Sequence, residues 1–200
     1  MNRSAAEEDL RSIAASIPPL DQRAMEGARR RQRELVKPPG SLGRLEEIAI
    51  RVAGMTGEDR THAERKLVLI FAADHGVTVE GVSAYPSAVT AQMVHAFAAG
   101  TAAVSVLARH AGAEIVVVDV GVASPLASDL PIEHRKVRWG TRSFMDGPAM
   151  RRAEAVTAMH AGMAVVDARR ADGIDLLALG EMGIGNTTAA AAVTAALLDL

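Results

Sequence analysis

The stretch Lys66-Leu67-Val68-Leu69-Ile70-Phe71-Ala72, followed by Ala73-Asp74-His75-Gly76, decides how the chain is read. It is a short apolar run without polar alternation, and such runs suit strands covered on both faces. Two more runs of the same kind follow. Glu114 to Val118 (EIVVV) leads into Asp119-Val120-Gly121, and Ile174 to Leu179 (IDLLAL) leads into Gly180-Glu181-Met182-Gly183. Helical stretches lie between and after them: Ser87 to Ala111, Ala149 to Arg170, and Thr187 onward. Strand, helix, strand in this rhythm predicts a parallel sheet with right-handed crossovers. The segment from Ala123 to Pro148 is rich in charge, Pro and Gly. It reads as a loop with a short strand around Arg135 to Trp139.

Upstream of the first strand the pattern is helical. Ile13, Ile17 and Leu20 sit near helical spacing before Pro18-Pro19 interrupts, and the charged run from Asp21 to Leu35 reads as a largely solvated helix. Lys37-Pro38-Pro39-Gly40 cannot continue it, because proline lacks the donor and restricts its predecessor. Ser41 is then expected as an N-cap. Leu42, Leu45, Ile48, Val52 and Met55 follow at helical spacing, with Gly54 and Gly57 near the stop. At the other end, Thr187 to Leu200 (TTAAAAVTAALLDL) is apolar nearly all round. Such a helix belongs in an interior. Three readings stay open for it: part of a larger fold, a surface covered by a partner chain, or a helix docked on the sheet. The first two imply a 200-residue chain that is poorly stable and nearly inactive by itself.

Composition narrows the class. Of 200 residues 49% are apolar, carried by Ala, Val, Leu and Ile, and the aromatics are only Trp139, Tyr85, Phe71, Phe97 and Phe144. The net charge is −2, with no basic stripe or aromatic platform for nucleic acid. There is no cysteine, so disulfides and thiolate metal sites are excluded. The six histidines show no HxH or HExxH spacing, so no zinc site is expected. The polar, acidic start (MNRSAAEEDLRS) carries no apolar signal core, and the alanine-rich runs are broken by charge or glycine. No membrane association is expected, and the default location is cytoplasmic.

In open parallel sheets, ligands bind beyond the carboxyl ends of the strands. All three expected strands end in an acid and a glycine: Asp74 with Gly76, Asp119 with Gly121, Glu181 with Gly180 and Gly183. Converging on one edge, these form a candidate pocket. Taken alone, Asp119-Val120-Gly121 is better read as a strand-end turn in which the acid caps and the glycine takes positive φ. His75 is either a ligand contact or a cap of its own turn.

Gly180-Glu181-Met182-Gly183-Ile184-Gly185-Asn186-Thr187-Thr188 is the most informative stretch. Glycines let amides approach an anion, and the following helix start adds a favourable dipole. Asn186 stands where a P-loop needs lysine, and Thr188 stands where a dinucleotide fingerprint needs its third glycine. A phosphate is expected here, held by Gly183, Ile184, Gly185, Asn186 and Thr187, in neither a nucleoside-triphosphate nor a standard dinucleotide site. An unrelated kinase or dehydrogenase is disfavoured on the same grounds. A loop that merely turns and caps is the plain alternative.

The motifs in order are Lys37-Pro-Pro-Gly-Ser-Leu-Gly-Arg-Leu-Glu46, Ala73-Asp-His-Gly-Val77, Gly81-Val-Ser-Ala-Tyr-Pro86 with Val89-Thr90, Val118-Asp-Val-Gly121, Gly140-Thr-Arg142, and Gly180 to Thr188. This ordered set strongly resembles the nicotinate-nucleotide–dimethylbenzimidazole phosphoribosyltransferases over residues 37 to 200. The resemblance implies an α/β fold: a parallel sheet with helices on both faces, Rossmann-like and three-layered, plus a small N-terminal helical subdomain. Residues 1–60 would form the small domain, and 61–200 a nucleotide-binding core incomplete at its C-terminus. It implies a homodimer acting on nicotinate mononucleotide and a benzimidazole base, without metal or cofactor. A benzimidazole nitrogen attacks C1′ of the mononucleotide and nicotinate departs. The product is α-ribazole 5′-phosphate, inverted at C1′, for the lower ligand of cobalamin.

The resemblance also assigns residues. The loop Gly183 to Thr187 would hold the 5′-phosphate, and Glu181 would face the ribose or base in a supporting catalytic role. Tyr85, Pro86 and Met93, with Asp74 and His75, would contact the base. Some family members carry Ser and Gln at the positions aligned with Tyr85 and Met93, so base recognition here departs from theirs. The family's main catalytic carboxylate, and a lysine that helps with the phosphate, would lie beyond residue 200. The alternative is a non-catalytic nucleotide-binding remnant that lacks this carboxylate.

Overall fold

The computed structural model describes residues 5–200. The chain divides into two compact units, residues 1–63 and 64–200.

The first unit holds three helices: α1 (Ala5–Ala15), α2 (Gln22–Glu34) and α3 (Arg44–Thr56). Asp21 caps α2, accepting from Arg23 N at 2.8 Å and Ala24 N at 3.0 Å. Helix α2 packs on α3 through small residues, with Ala24, Ala28 and Ala53 buried. A Cβ on Gly54 would stand 2.7 Å from Met25 Cγ, so glycine sets the closeness of that crossing. Ser41 is not the cap of α3. The helix starts three residues later, behind Gly43 (φ 55°), because turns at Gly40 and Gly43 wind the chain first. Glu46 locks that turn, accepting from Leu42 N and from Lys37 Nζ at 2.6 Å. The Lys37 hydrogen bond holds the Glu46 carboxyl below its ordinary range. The Lys37-to-Glu46 motif thus closes on itself.

The second unit is a four-stranded parallel sheet of β1 (Lys66–Ala73), β2 (Ala113–Gly121), β3 (Glu133–His134) and β4 (Leu176–Met182), in the order β3-β2-β1-β4. The chain runs outward from β1 to β2 and β3, then crosses back to lay β4 on the other side of β1. The crevice between the ends of β1 and β4 is therefore a topological switch point, where open α/β sheets bind ligands.

Helices cover both faces. Successive strand residues point to opposite sides, so Ile70, Ala72 and Val117 pack with Val94 and Phe97 of α4 (Ala88–Ala98). Leu67, Leu69, Val116 and Val118 pack with Val165 of α6 (Arg152–Ala171). The stretch 88–111 is long and apolar enough by composition to cross a membrane. Instead it breaks at Gly100 (φ 71°) into α4 and α5 (Ala103–Ala111), and Thr90, Val94, Phe97, Ser105 and Ala108 are buried.

Two further expectations shift. The short strand after β2 lies at Glu133–His134, not 135–139. Arg135, Val137 and Gly140 donate to the carbonyls of Asp119, Val120 and Gly121, a spacing too uneven for a ladder. The final helix, α7 (Asn186–Leu198), is apolar as expected, yet none of its residues is buried: Val193, Leu197 and Leu198 are all exposed.

Candidate active site

The switch-point crevice is built on Asp74, at the end of β1. Its amide donates to Gly121 O, its carbonyl accepts from Thr141 N, and its Oδ2 accepts from Ala123 N at 2.7 Å. Asp74 therefore ties together the loops that follow β2 and β3. Its other carboxylate oxygen is buried without a hydrogen-bond partner among the described residues. Gly76 completes the clamp: its N–H donates to Thr141 Oγ1 at 3.0 Å, and a Cβ there would stand 2.4 Å from the Arg142 backbone.

Asp119 does the equivalent work at the end of β2, and its role is structural. Oδ1 accepts from Gly121 N and Val122 N, while Oδ2 meets Lys136 Nζ at 2.8 Å. Lys136 also donates to Val122 O and lies 4.2 Å from the Trp139 ring centre. A fully buried carboxylate needs such pairing to stay ionised.

The glycine-rich loop is pinned from two sides. A Cβ on Gly183 would fall 2.2 Å from Ala73 O and 2.9 Å from the His75 ring, so only glycine fits. Gly185 takes φ 86° and is buried against Thr78. Ile184 N donates to the buried Thr90 Oγ1 at 3.1 Å, and Asn186 N to Gly183 O at 3.0 Å. Two of the amides expected to face a phosphate are thus engaged within the protein. Thr187 and Thr188 stand in the first turn of α7, where a helix has no internal partner for its amides. Thr187 is exposed.

Glu181 lies on β4 opposite Phe71 of β1 and is exposed. Its charge reaches His75. Burial pushes the His75 imidazole below its ordinary 6.5, while the Glu181 and Asp74 carboxylates pull it back up. His75 borders an open apolar cavity of about 410 Å³, together with Val77, Thr141, Phe144, Met150 and Val193.

Of the residues expected at the base, His75 alone lines this cavity. Tyr85 is 66% exposed, and its amide donates to Ser83 Oγ. Pro86 is exposed beside it. Met93 packs against the α4-side core. Two features escape sequence reasoning: the Thr90 anchor under the loop, and the Phe144–Met150 wall of the cavity.

A family model described as phosphoribosyltransferase matches residues 17–200. The chain belongs to this phosphoribosyltransferase family. It is 52% identical over 181 residues to the nicotinate-nucleotide–dimethylbenzimidazole phosphoribosyltransferase of Chloroflexus aggregans, covering 90% of this chain and 51% of that protein. With the protein of the same name from Desulforudis audaxviator it shares 48% identity, over 94% of this chain and 53% of that one. A crystal structure of the phosphoribosyltransferase of that name from Thermus thermophilus superposes with a TM-score of 0.87 at 48% identity, covering 90% of this chain and 55% of the other. The chain spans about half the length of the curated relatives it matches.

Proposed function

We propose that the chain carries phosphoribosyl transfer from nicotinate mononucleotide to 5,6-dimethylbenzimidazole, giving α-ribazole 5′-phosphate and nicotinate. The observation that supports this most is the Gly180–Thr188 loop. It stands at the switch point between β1 and β4, with first-turn amides on one side and an apolar cavity on the other. A phosphomonoester suits the helix start, where a negative charge gains about 0.3–1 kcal/mol from the dipole and more when partly buried. A flat apolar base suits a cavity whose wall is mostly Ala, Val, Phe and Met.

The chemistry asks little beyond placement. As the benzimidazole nitrogen bonds to C1′, the C1′–nitrogen bond to the pyridinium breaks and nicotinate leaves with that electron pair. The azole proton passes to the main catalytic carboxylate that the resemblance implies, so the azole ring of the product and the pyridine ring of the leaving group both end uncharged. Orientation of the two reactants supplies much of the rate, and the Glu181 carboxylate, beside His75, stabilises the electron-poor sugar. In this reading Gly183, Gly185 and Thr187 shape the phosphate seat while Ile184 and Asn186 hold its form. Relatives about half identical to the chain bear the transferase name, which favours this reading over a non-catalytic remnant. A homodimer and a cytoplasmic location belong to the same proposal.

Calorimetry with nicotinate mononucleotide and with its riboside tests it. The mononucleotide binds and the riboside is at least tenfold weaker, because the phosphate is the anchor. Equal affinity for the two contradicts the loop's role.

A further inference from the structure

Residues 142–150 form a loop closed on itself. At its neck Arg142 N donates to Ala149 O at 3.0 Å, and the Arg142 side chain donates to Pro148 O. Three of its residues, Phe144, Ala149 and Met150, line the apolar cavity. Its tip has little to hold it: Met145, Asp146 and Pro148 are exposed, and the space beside Gly147 (φ 144°) is open. Among the described residues, a single hydrogen bond joins 142–150 to another element. The Ser143 hydroxyl donates to Glu80 Oε1 at 2.8 Å, across 63 positions of sequence. Ser143 is buried, and its oxygen also accepts from Met145 N, so the same hydroxyl shapes the start of the tip.

Glu80 is a fixed post for this bond. It ends the short 3-10 helix Gly76–Glu80, in which Val77 is buried and the Thr78 hydroxyl donates back to His75 O at 2.9 Å. The start of that helix abuts the loop neck, where Thr141 Oγ1 holds the Gly76 N–H. The helix is thus fastened at one end and offers a carboxylate at the other. A hydroxyl-to-carboxylate bond is charge-assisted and stronger than a neutral one. A loop with one external bond opens when that bond breaks, and such local opening needs no global unfolding. We infer that Glu80 is a positioning residue: through Ser143 it latches loop 142–150 against the cavity and sets how often the Phe144–Met150 wall opens to admit or release a ligand. The latch stands on the geometry; the ligand in its test comes from the phosphoribosyl-transfer reading.

Trypsin reads the latch, because the Arg142–Ser143 bond cannot enter a protease cleft while Ser143 is buried. Cleavage there, followed by mass spectrometry on the whole chain, tracks the open population. Glu80→Ala speeds it roughly tenfold, the net worth of one hydrogen bond to a charged group at an exposed site, while rates at the other arginines stay as they are. Glu80→Gln keeps an oxygen acceptor and restores most of the protection. In a Ser143→Ala background Glu80→Ala adds nothing further, a non-additivity that a general loss of stability does not produce. 5,6-Dimethylbenzimidazole slows cleavage at Arg142–Ser143 in the wild type, and less so in Glu80→Ala. Unchanged cleavage in Glu80→Ala overturns the latch, as does an equal rise at every arginine. If the base binds by calorimetry yet leaves this bond unprotected, the loop does not control the cavity and the assignment falls. If the base does not bind while Glu80→Ala still exposes Arg142–Ser143, the latch stands and the functional reading of the cavity is what fails.

Discussion

Thr90→Val removes one oxygen from a buried site and probes what holds the glycine loop in place. Thr90 Oγ1 is the acceptor for Ile184 N at 3.1 Å, and Thr90 is fully buried. Valine fills nearly the same space but cannot accept, so the Ile184 N–H is left unsatisfied. An orphaned buried donor costs about 1–3 kcal/mol. Taking about 2 kcal/mol, the loop opens roughly thirtyfold more often, since each 1.4 kcal/mol is a factor of ten. Hydrogen exchange at the Ile184 amide reads this directly, because local opening sets its rate. Thr90→Ser is the control: it keeps the acceptor, so Ile184 stays protected while only a methyl contact is lost. In Thr90→Val, affinity for nicotinate mononucleotide falls along with the protection. If Ile184 exchanges equally slowly in the wild type and Thr90→Val, the loop does not depend on this bond and its anchoring has been misread.

Three further outcomes follow from the same structure. Gly183→Ala drives a methyl into Ala73 O and the His75 ring, neither of which yields freely; overpacking of this kind costs about 1–3 kcal/mol, visible as a lower urea midpoint. Lys136→Met strands the buried Asp119 charge, a loss of about 3–5 kcal/mol, and changes the emission of Trp139, the sole tryptophan, by removing the cation over its ring; unchanged emission and stability would show that the pair is dispensable. The Glu154 carboxyl is held down from 4.5 to about 2, chiefly by the Arg151 N–H and side chain; an acid lowered in the folded state lends stability that is complete above about pH 4.5 and lost as pH falls toward 2, so an NMR titration of Glu154 with a midpoint near 4.5 would contradict the cap geometry.

The sheet was legible because β1 and β2 are unbroken apolar runs of the kind that suit strands covered on both faces, whereas β4, read the same way, leaves Leu176 and Leu179 exposed. Its edges were less so. By its apolar pattern the third run ends at Leu179, yet β4 continues through Gly180, Glu181 and Met182, whose backbones pair with Ile70, Phe71 and Ala72. Apolar periodicity across 87–111 hid the break at Gly100, which a single positive-φ glycine makes. At the site, the glycine loop stood out from composition alone. The Thr90–Ile184 bond did not, because it joins residues 94 apart and depends on how α4 lies on the sheet. The Phe144–Met150 wall was invisible for a similar reason: the Asp74 and Gly76 bonds to Thr141 fix that loop's path. Resemblance placed Tyr85 and Met93 near the base by position in the chain. In the structure Tyr85 is exposed and Met93 packs against the α4-side core.

Everything functional rests on an anion seated at the start of α7. An amide-resolved NMR titration of the chain with nicotinate mononucleotide measures this most directly. The expected result is that the Thr187 and Thr188 amides shift most and saturate together with the phosphorus signal. Shifts confined to other parts of the chain, with Thr187 and Thr188 unmoved at saturation, would contradict it.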